Sequence, residues 1–233
     1  MKQGKDTITR GILLVDKPKG LTSHDVVYRI RRKFEFKKVG HTGTLDPMAT
    51  GLLVILIGKE MTRRSQELSA DDKTYEAVFT FGIETDSADA MGTVISQKTV
   101  DITDKDIVNI LERFKGEISQ VPPMFSAKKH KGKKLYEYAR EGQTVKVEPK
   151  KVVIYKFEAD SFNLPEVSFT VKCSKGTFIR QLAADIGKEL GCGAHLSALR
   201  RTQAGEYDIK DSIALDKILE MSKDEIVGKL ITI

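Results

Sequence analysis

The stretch "GHTGTLDPMATG" (residues 40–51) puts one histidine, three glycines and a single carboxylate, Asp46, into twelve positions. Asp46 stands directly before Pro47, which pushes its backbone out of the helical region into an extended one. Read as structure, Asp46 is a helix N-cap, Pro47 the first helical residue, and "PMAT" a single turn ending at Gly51. Read as chemistry, Gly40, Gly43 and Gly51 let the backbone approach a ligand closely, and the lone carboxylate serves as nucleophile or base. The loop alone favours the cap.

Three further residue types bear on the choice. His41 shares the loop and reads as a hydrogen-bonded structural histidine or as a group that holds a ligand. Tyr75 alternates with apolar neighbours in "KTYEAVFTF" (73–81), which fits a core strand position as well as a functional one. Arg180 is less ordinary. If Thr177 caps the helix "TFIRQLAADIGKEL" (177–190), Arg180 falls at its third position, where the positive end of the helix dipole disfavours a cation. An arginine there calls for an anionic partner, either a carboxylate such as Asp46 or a phosphate.

Several chemistries are excluded by missing motifs. The interval from Gly51 to "GKE" (58–60) has the wrong glycine spacing for a phosphate loop, and no Ser or Thr follows Lys59. There is no GxGxxG and no GxSxG. The four histidines form no HxxxH or HExxH pattern, and the two cysteines, Cys173 and Cys192, form no CxxC, so neither a metal nor a redox cofactor is expected. What remains is group transfer, hydrolysis or isomerisation at a carboxylate, histidine or tyrosine.

The elements that must position these residues are legible from periodicity. "GILLV" (11–15) reads as a strand, "DKPKG" (16–20) as a turn, and "SHDVVYRIRRKF" (23–34) as a helix burying Val26, Val27, Ile30 and Phe34. "LLVILI" (52–57) is a buried strand, too short to span a bilayer, and "KEMTRRSQEL" continues as a helix. "TDKDIVNILERFKG" (103–116) opens with a capping-box pair, and "SKDEIVGKL" (222–230) is a last helix opened by Ser222 and Glu225. Strands are expected at 145–157 and 167–173. Strands and helices mix without βαβ alternation, so the expected class is α+β with a mixed, largely antiparallel sheet flanked by helices.

Net charge is +6, unevenly spread: residues 1–64 carry +8, 65–123 carry −7, 124–156 carry +7 and 157–233 carry −2. Two basic blocks around an acidic one suit a polyanion such as nucleic acid, although a solvated lysine surface explains the balance equally well. The segment "PPMFSAKKHKGKKLYEYAREG" (122–142) holds five lysines within 128–134 and reads as a projecting insertion. The acidic loop "TDSADAMG" within 65–123 reads as a turn held by Asp86 and Asp89. The N-terminus lacks the apolar segment of a signal peptide, and a cytoplasmic location is expected.

Taken in order, "LLVDKPKGLTSHDVV", "GHTGTLDPMATGLLVILIG", "DKTYEAVFTFG", "TDSADAMGTV", "PPMFSAKKHKGKKLYEYAREG" and "CSKGTFIRQLAADIGKELGCGAHLSALRR" closely resemble the bacterial TruB-type tRNA pseudouridine synthases, over residues 10–215. The resemblance implies a catalytic domain over 1–233 with a thumb-like basic insertion at 122–152, and a C-terminal PUA domain absent or truncated. It implies isomerisation of the T-loop uridine at position 55 of tRNA, with no cofactor and no metal. Asp46 matches the essential carboxylate, and Arg180 the arginine that pairs with it and keeps it ionised. Tyr75 matches the tyrosine against the target base, His41 the histidine that holds the everted nucleotide, and Leu199 an apolar residue lining the base pocket. Lys17 belongs to the "KPKG" turn in a structural or substrate-supporting role, and Thr44, Lys128, Lys129 and Lys131 complete the substrate-binding set.

The implied chemistry agrees with the missing motifs, since the isomerisation is redox-neutral. A target base stacked in folded RNA must be flipped out, which needs an apolar or aromatic pocket and phosphate-holding charge. The implied partner is the tRNA T stem-loop, met by a monomer without membrane attachment. Two competing functions stay open: a tRNA-binding folding chaperone without essential catalysis, and a guide-RNA-dependent relative inside a ribonucleoprotein.

Overall fold

In the computed structural model, residues 9–69, 71–126, 128–130, 132–143 and 145–232 are described. The chain forms two compact units, Met1–Asp71 with Arg200–Ile233, and Asp72–Leu199.

In the first unit the apolar run becomes the strand Thr50–Ile57, which pairs antiparallel with Gly11–Lys17 in the register Gly11↔Ile57 to Lys17↔Gly51. Val39–Thr42 also pairs with it antiparallel, while Arg200 and Arg201 pair with Thr50 and Gly51 in parallel. Ile213–Ala214 adds a short parallel contact to Gly11–Lys17. Being covered on both faces, Thr50–Ile57 reads as a continuous apolar run rather than an alternating one. Ile12, Leu14, Leu52, Val54, Leu56, Met61 and Ala204 form one buried cluster.

The helix Ser23–Phe34 buries the expected stripe and is capped by Thr22, whose hydroxyl and Asp25 form a reciprocal capping box. The expected single helix "KEMTRRSQEL" is two, Lys59–Arg63 and Ser65–Leu68. The break falls at Arg64, whose N–H bonds back to Met61 in a tightened turn.

The second unit is built on an antiparallel set in the order Lys73–Phe81, Glu166–Cys173, Lys150–Asn163, Gly116–Gln120. The strand expected at 145–157 starts later and ends later. Pro149 has no N–H for a ladder, so pairing begins at Lys150↔Gln120, and beyond 157 the chain runs on to Asn163 in a hairpin with Glu166–Cys173. Phe79, Phe157 and Phe169 meet inside this set, with Phe79 and Phe169 centroids 4.6 Å apart. Two small ribbons, Ile83–Thr85 with Val94–Gln97 and Lys129–His130 with Lys133–Lys134, and the helices Asp104–Arg113, Leu135–Arg140 and Ile179–Glu189 complete it.

The strands form the expected α+β arrangement, antiparallel in the second unit and mixed in the first. No helix among the described residues is long and apolar enough to cross a membrane.

Candidate active site

Asp46 caps no helix. Its carbonyl accepts from Ala49 N–H at 3.0 Å, closing a β-turn over Pro47 and Met48, and the chain enters the Thr50–Ile57 strand at once. A strand register beginning at Thr50 leaves no room for a helical turn. The side chain that would have capped one is therefore released from that duty, and it sits half-buried in the loop. Leu45, Met48 and Ala49 anchor the loop in the core, and Thr44 is exposed. Gly43 and Gly51 both have positive φ, at 67° and 97°. At Gly51 a Cβ would meet the Arg201 carbonyl oxygen at 2.4 Å, so only glycine lets the Arg200–Arg201 strand lie alongside.

Two cations are buried in this unit close to the loop. Lys17 is fully buried, and its ammonium donates to the carbonyls of Pro18 and Leu21 at 3.0 and 2.7 Å. Burial lowers its pKa to about 8, against the opposing pull of the Asp46 carboxylate; Arg201 lowers it further. The same attraction that favours the charged lysine favours the charged Asp46. Arg201 is buried and donates from Nε to Leu52 O at 2.7 Å and from a terminal nitrogen to Gly43 O at 3.0 Å. His41 has its pKa lowered by burial first and by Arg201 second, so the ring is neutral at pH 7. Its Nδ1 is buried without a hydrogen-bond partner among the described residues. A neutral ring suits contact with a nucleoside better than with a phosphate.

In the second unit, Tyr75 is buried on the apolar face of its strand, and Leu199 is half-buried. Arg180 lies one place earlier in its helix than the sequence predicts. Phe178, not Thr177, is the N-cap, and the Thr177 hydroxyl donates instead to Ser174 O at 2.9 Å. Gln120 holds the helix start, accepting from Phe178 N–H at 2.9 Å and donating to its carbonyl at 3.1 Å. Within this unit Arg180 forms an ion pair with Asp89, 3.3 Å from the guanidinium, with both side chains about 6% exposed. A second guanidinium nitrogen donates to Phe125 O at 2.7 Å.

Asp89 is the functional candidate that sequence reasoning passed over as a turn residue. It does hold the turn, accepting from the Ser87 hydroxyl at 2.7 Å and from Met91 N–H at 2.9 Å, while Asp86 accepts from Thr93 N–H. Its free carboxylate oxygen turns inward to Arg180. Nothing local separates it from Asp86; the distinction is a contact across ninety-one positions.

The basic segment divides its cations. Lys133 is held by both carboxylate oxygens of Glu141 at 2.6 Å and lies 4.6 Å over the Tyr138 ring. Lys134 and Arg140 both lie 5.3 Å over Tyr136. The two tyrosines thus hold cations as well as shaping the Leu135–Arg140 helix. Lys128 is half-buried and Lys129 exposed, while Lys131 lies outside the described residues.

Two family models match this chain in tandem: the N-terminal domain of the TruB family pseudouridylate synthases over residues 31–179, and the C-terminal domain of tRNA pseudouridylate synthase B over 180–231. The chain belongs to the TruB family. Among curated relatives, the tRNA pseudouridine synthase B of Burkholderia pseudomallei (strain 668) is 49% identical over 220 residues, covering 94% of this chain and 72% of that protein. That of Dechloromonas aromatica (strain RCB) is 50% identical over 208 residues, covering 89% and 69%. Among solved structures, a chain of a Cbf5–Nop10–Gar1 complex superposes with a TM-score of 0.75 at 29% identity, covering 97% of this chain and 60% of that one. A chain of an H/ACA ribonucleoprotein bound to a substrate RNA gives 0.70 at 28% identity, covering 94% and 55%. This TruB-family chain thus spans just over half the length of those solved chains. Asp46 and Tyr75 fall in the first family model, Arg180, Leu199 and Arg201 in the second. As a TruB-family protein it is a pseudouridine synthase, an isomerase whose curated relatives are named for tRNA.

Proposed function

We propose that this enzyme converts the T-loop uridine at position 55 of tRNA to pseudouridine, with Asp46 as the essential carboxylate. The observation that carries this reading is a lone carboxylate in a loop pinned to the core and accompanied by a buried lysine, in a chain of this family. The N1–C1′ bond breaks, the uracil turns within the site, and C5 bonds to C1′; the C5 hydrogen leaves as a proton and N1 regains one. Nothing is oxidised or reduced. Asp46 acts as nucleophile at C1′ or as base at C2′, either of which needs the ionised form. In this reading Tyr75 lies against the flipped base, Leu199 lines its pocket, neutral His41 and Thr44 support the nucleoside, and Arg180 accompanies the carboxylate. Base flipping supplies the access that a stacked uridine lacks.

The test is release of tritium from C5-labelled uridine in an unmodified tRNA transcript by the purified chain alone. Stoichiometric release from one uridine per transcript is expected, lost when the T-loop uridine is changed to cytidine. Absence of release without an added guide RNA would move the reading to a ribonucleoprotein subunit. Binding with no release under any condition would move it to a chaperone.

Lys17 gives the reaction a pH signature. As pH rises through about 8, Lys17 loses its proton and its support for ionised Asp46, so the single-turnover rate should fall. Stability should move the other way. Below about 8 both folded and unfolded chains hold the proton; from there to the ordinary lysine value of 10.5 the unfolded chain holds more, so this group's contribution rises with pH. A rate that falls while urea-unfolding stability holds or rises separates the effect from denaturation. A flat rate from pH 7 to 9.5 would remove Lys17 from the mechanism.

The basic segment should carry part of the tRNA affinity through phosphate contacts. Replacing Lys128, Lys129, Lys131, Lys133 and Lys134 with alanine should flatten the salt dependence of tRNA binding by roughly 0.7–0.9 in log–log slope per contact removed. Lys133 and Lys134 already have partners within the protein, so changing that pair alone should alter the slope less than changing Lys128 and Lys129. An unchanged slope in the fivefold variant would take the segment out of the binding surface.

A further inference from the structure

Seven residues, 43–49, separate the Val39–Thr42 and Thr50–Ile57 strands, and the proposed carboxylate lies in the middle of them. Such a loop, with Gly43 at its start, would sample many backbone states unless something outside it removed them. On the N-terminal side of Asp46, both backbone groups of Leu45 are held by one hydroxyl. Leu45 N–H donates to Ser23 Oγ at 2.8 Å, and Ser23 Oγ donates to Leu45 O at 3.1 Å. This uses the hydroxyl as one donor and one acceptor, which only a short hydroxyl side chain offers. On the C-terminal side, Pro47 O accepts from Gly20 N–H at 2.8 Å. Further out, Arg201 reaches Gly43 O and Leu52 O with one guanidinium, tying the start of the loop to the strand that follows it.

Both side chains are almost wholly buried, at about 1% exposure. Ser23 stands at the first position of its helix, but the cap is Thr22, so the neighbouring hydroxyl is left to face Leu45. Arg201 makes no ion pair among the described residues; its guanidinium donates to one loop carbonyl, Gly43 O, and to one carbonyl of the following strand, Leu52 O. A buried guanidinium with only carbonyl acceptors is an expensive way to tie two strands that already pair through their backbones. What it adds beyond the Thr42↔Val54 pairing is a side-chain tie from Gly43 to Leu52.

We propose that Ser23 and Arg201 are positioning residues for the isomerisation, holding the backbone on both sides of Asp46 so that its carboxylate is in place before the RNA arrives. This rests on the reading of Asp46 as the essential carboxylate. A displacement of about 1 Å in a catalytic group is enough for a rate loss of about 100-fold without loss of binding. The signature is therefore a split between rate and affinity.

The experiment measures single-turnover tritium release and tRNA dissociation constants for wild type, Asp46→Asn, Ser23→Ala, Arg201→Lys and Arg201→Ala, the last with and without added guanidinium ion. Arg201→Ala should lose about 100-fold in rate and Ser23→Ala about 10-fold, with tRNA affinity within about threefold of wild type. Arg201→Lys keeps the charge but can make one bond of the two, and should fall between. Guanidinium ion should restore part of the Arg201→Ala rate and none of the Asp46→Asn rate. If Arg201→Ala does not fold, Ser23→Ala and Arg201→Lys decide by the same split. Rates at the wild-type level, or rate and affinity falling together, would overturn the positioning role. If Asp46→Asn itself retains the wild-type rate, the reading beneath it falls instead.

Discussion

Asp46→Asn should abolish tritium release from the labelled tRNA, by about 1000-fold or more, while binding the same transcript within about twofold of wild type. The amide has nearly the shape of the carboxylate, so the turn closed by Ala49 N–H on the Asp46 carbonyl is untouched, as are the Ser23 and Gly20 bonds on either side. What is removed is the negative oxygen that, in the proposed mechanism, either attacks C1′ or takes a proton from C2′. Because no helix begins at Pro47, there is no N-cap for the asparagine to preserve or lose. Retained activity would return Asp46 to a structural role. Loss of binding in parallel with rate would show that the carboxylate organises the RNA surface rather than the chemistry.

Arg180→Met should be the most destabilising of the site substitutions, by about 3–5 kcal/mol in urea unfolding, because it strands the buried Asp89 carboxylate without its cation. Arg180→Lys should lose less, about 1–3 kcal/mol, since it keeps the charge but cannot serve Asp89 and the Phe125 carbonyl with a planar fork. Asp89→Asn retains an acceptor for Ser87 and Met91 N–H, so its turn survives while the ion pair goes. The double variant Arg180→Met with Asp89→Asn should therefore be more stable than the sum of the single losses predicts, and the deficit measures the pair. Strict additivity would mean that the two buried groups do not depend on each other. Activity is expected to fall about 100-fold or more in either Arg180 variant, since the proposed mechanism places this arginine with the carboxylate.

Most of the elements could be read directly from the chain. Val26, Val27, Ile30 and Phe34 define the first helix, the alternation in "KTYEAVFTF" defines a half-buried strand, and Ser222 with Glu225 marks the last helix start. These are local signals, carried by residues within one or two turns of each other, and tertiary packing had no reason to override them. The misjudged boundaries were those where a partner strand decides the matter. Lys150 begins its strand because Gln120 is there to pair with it, and 158–163 continue because Glu166–Cys173 folds back upon them.

The candidate site divides along the same line. The sequence by itself determined the family: the types and order of the motifs around Asp46, Tyr75 and Arg180 name it, and that depends on identity rather than on contact. The tertiary structure alone decided what each of them touches. That Asp46 closes a β-turn instead of a helix depends on a strand register starting at Thr50. That Lys17 is a buried, weakened base depends on complete removal from water. That Asp89 rather than Asp86 turns to Arg180, and that Ser23 and Arg201 hold the Asp46 loop, depend on neighbours separated by 91, 22 and 149 to 158 positions. No local propensity records such pairings, because hydrogen bonds and ion pairs act over a few ångströms in space and are indifferent to the length of chain between their partners.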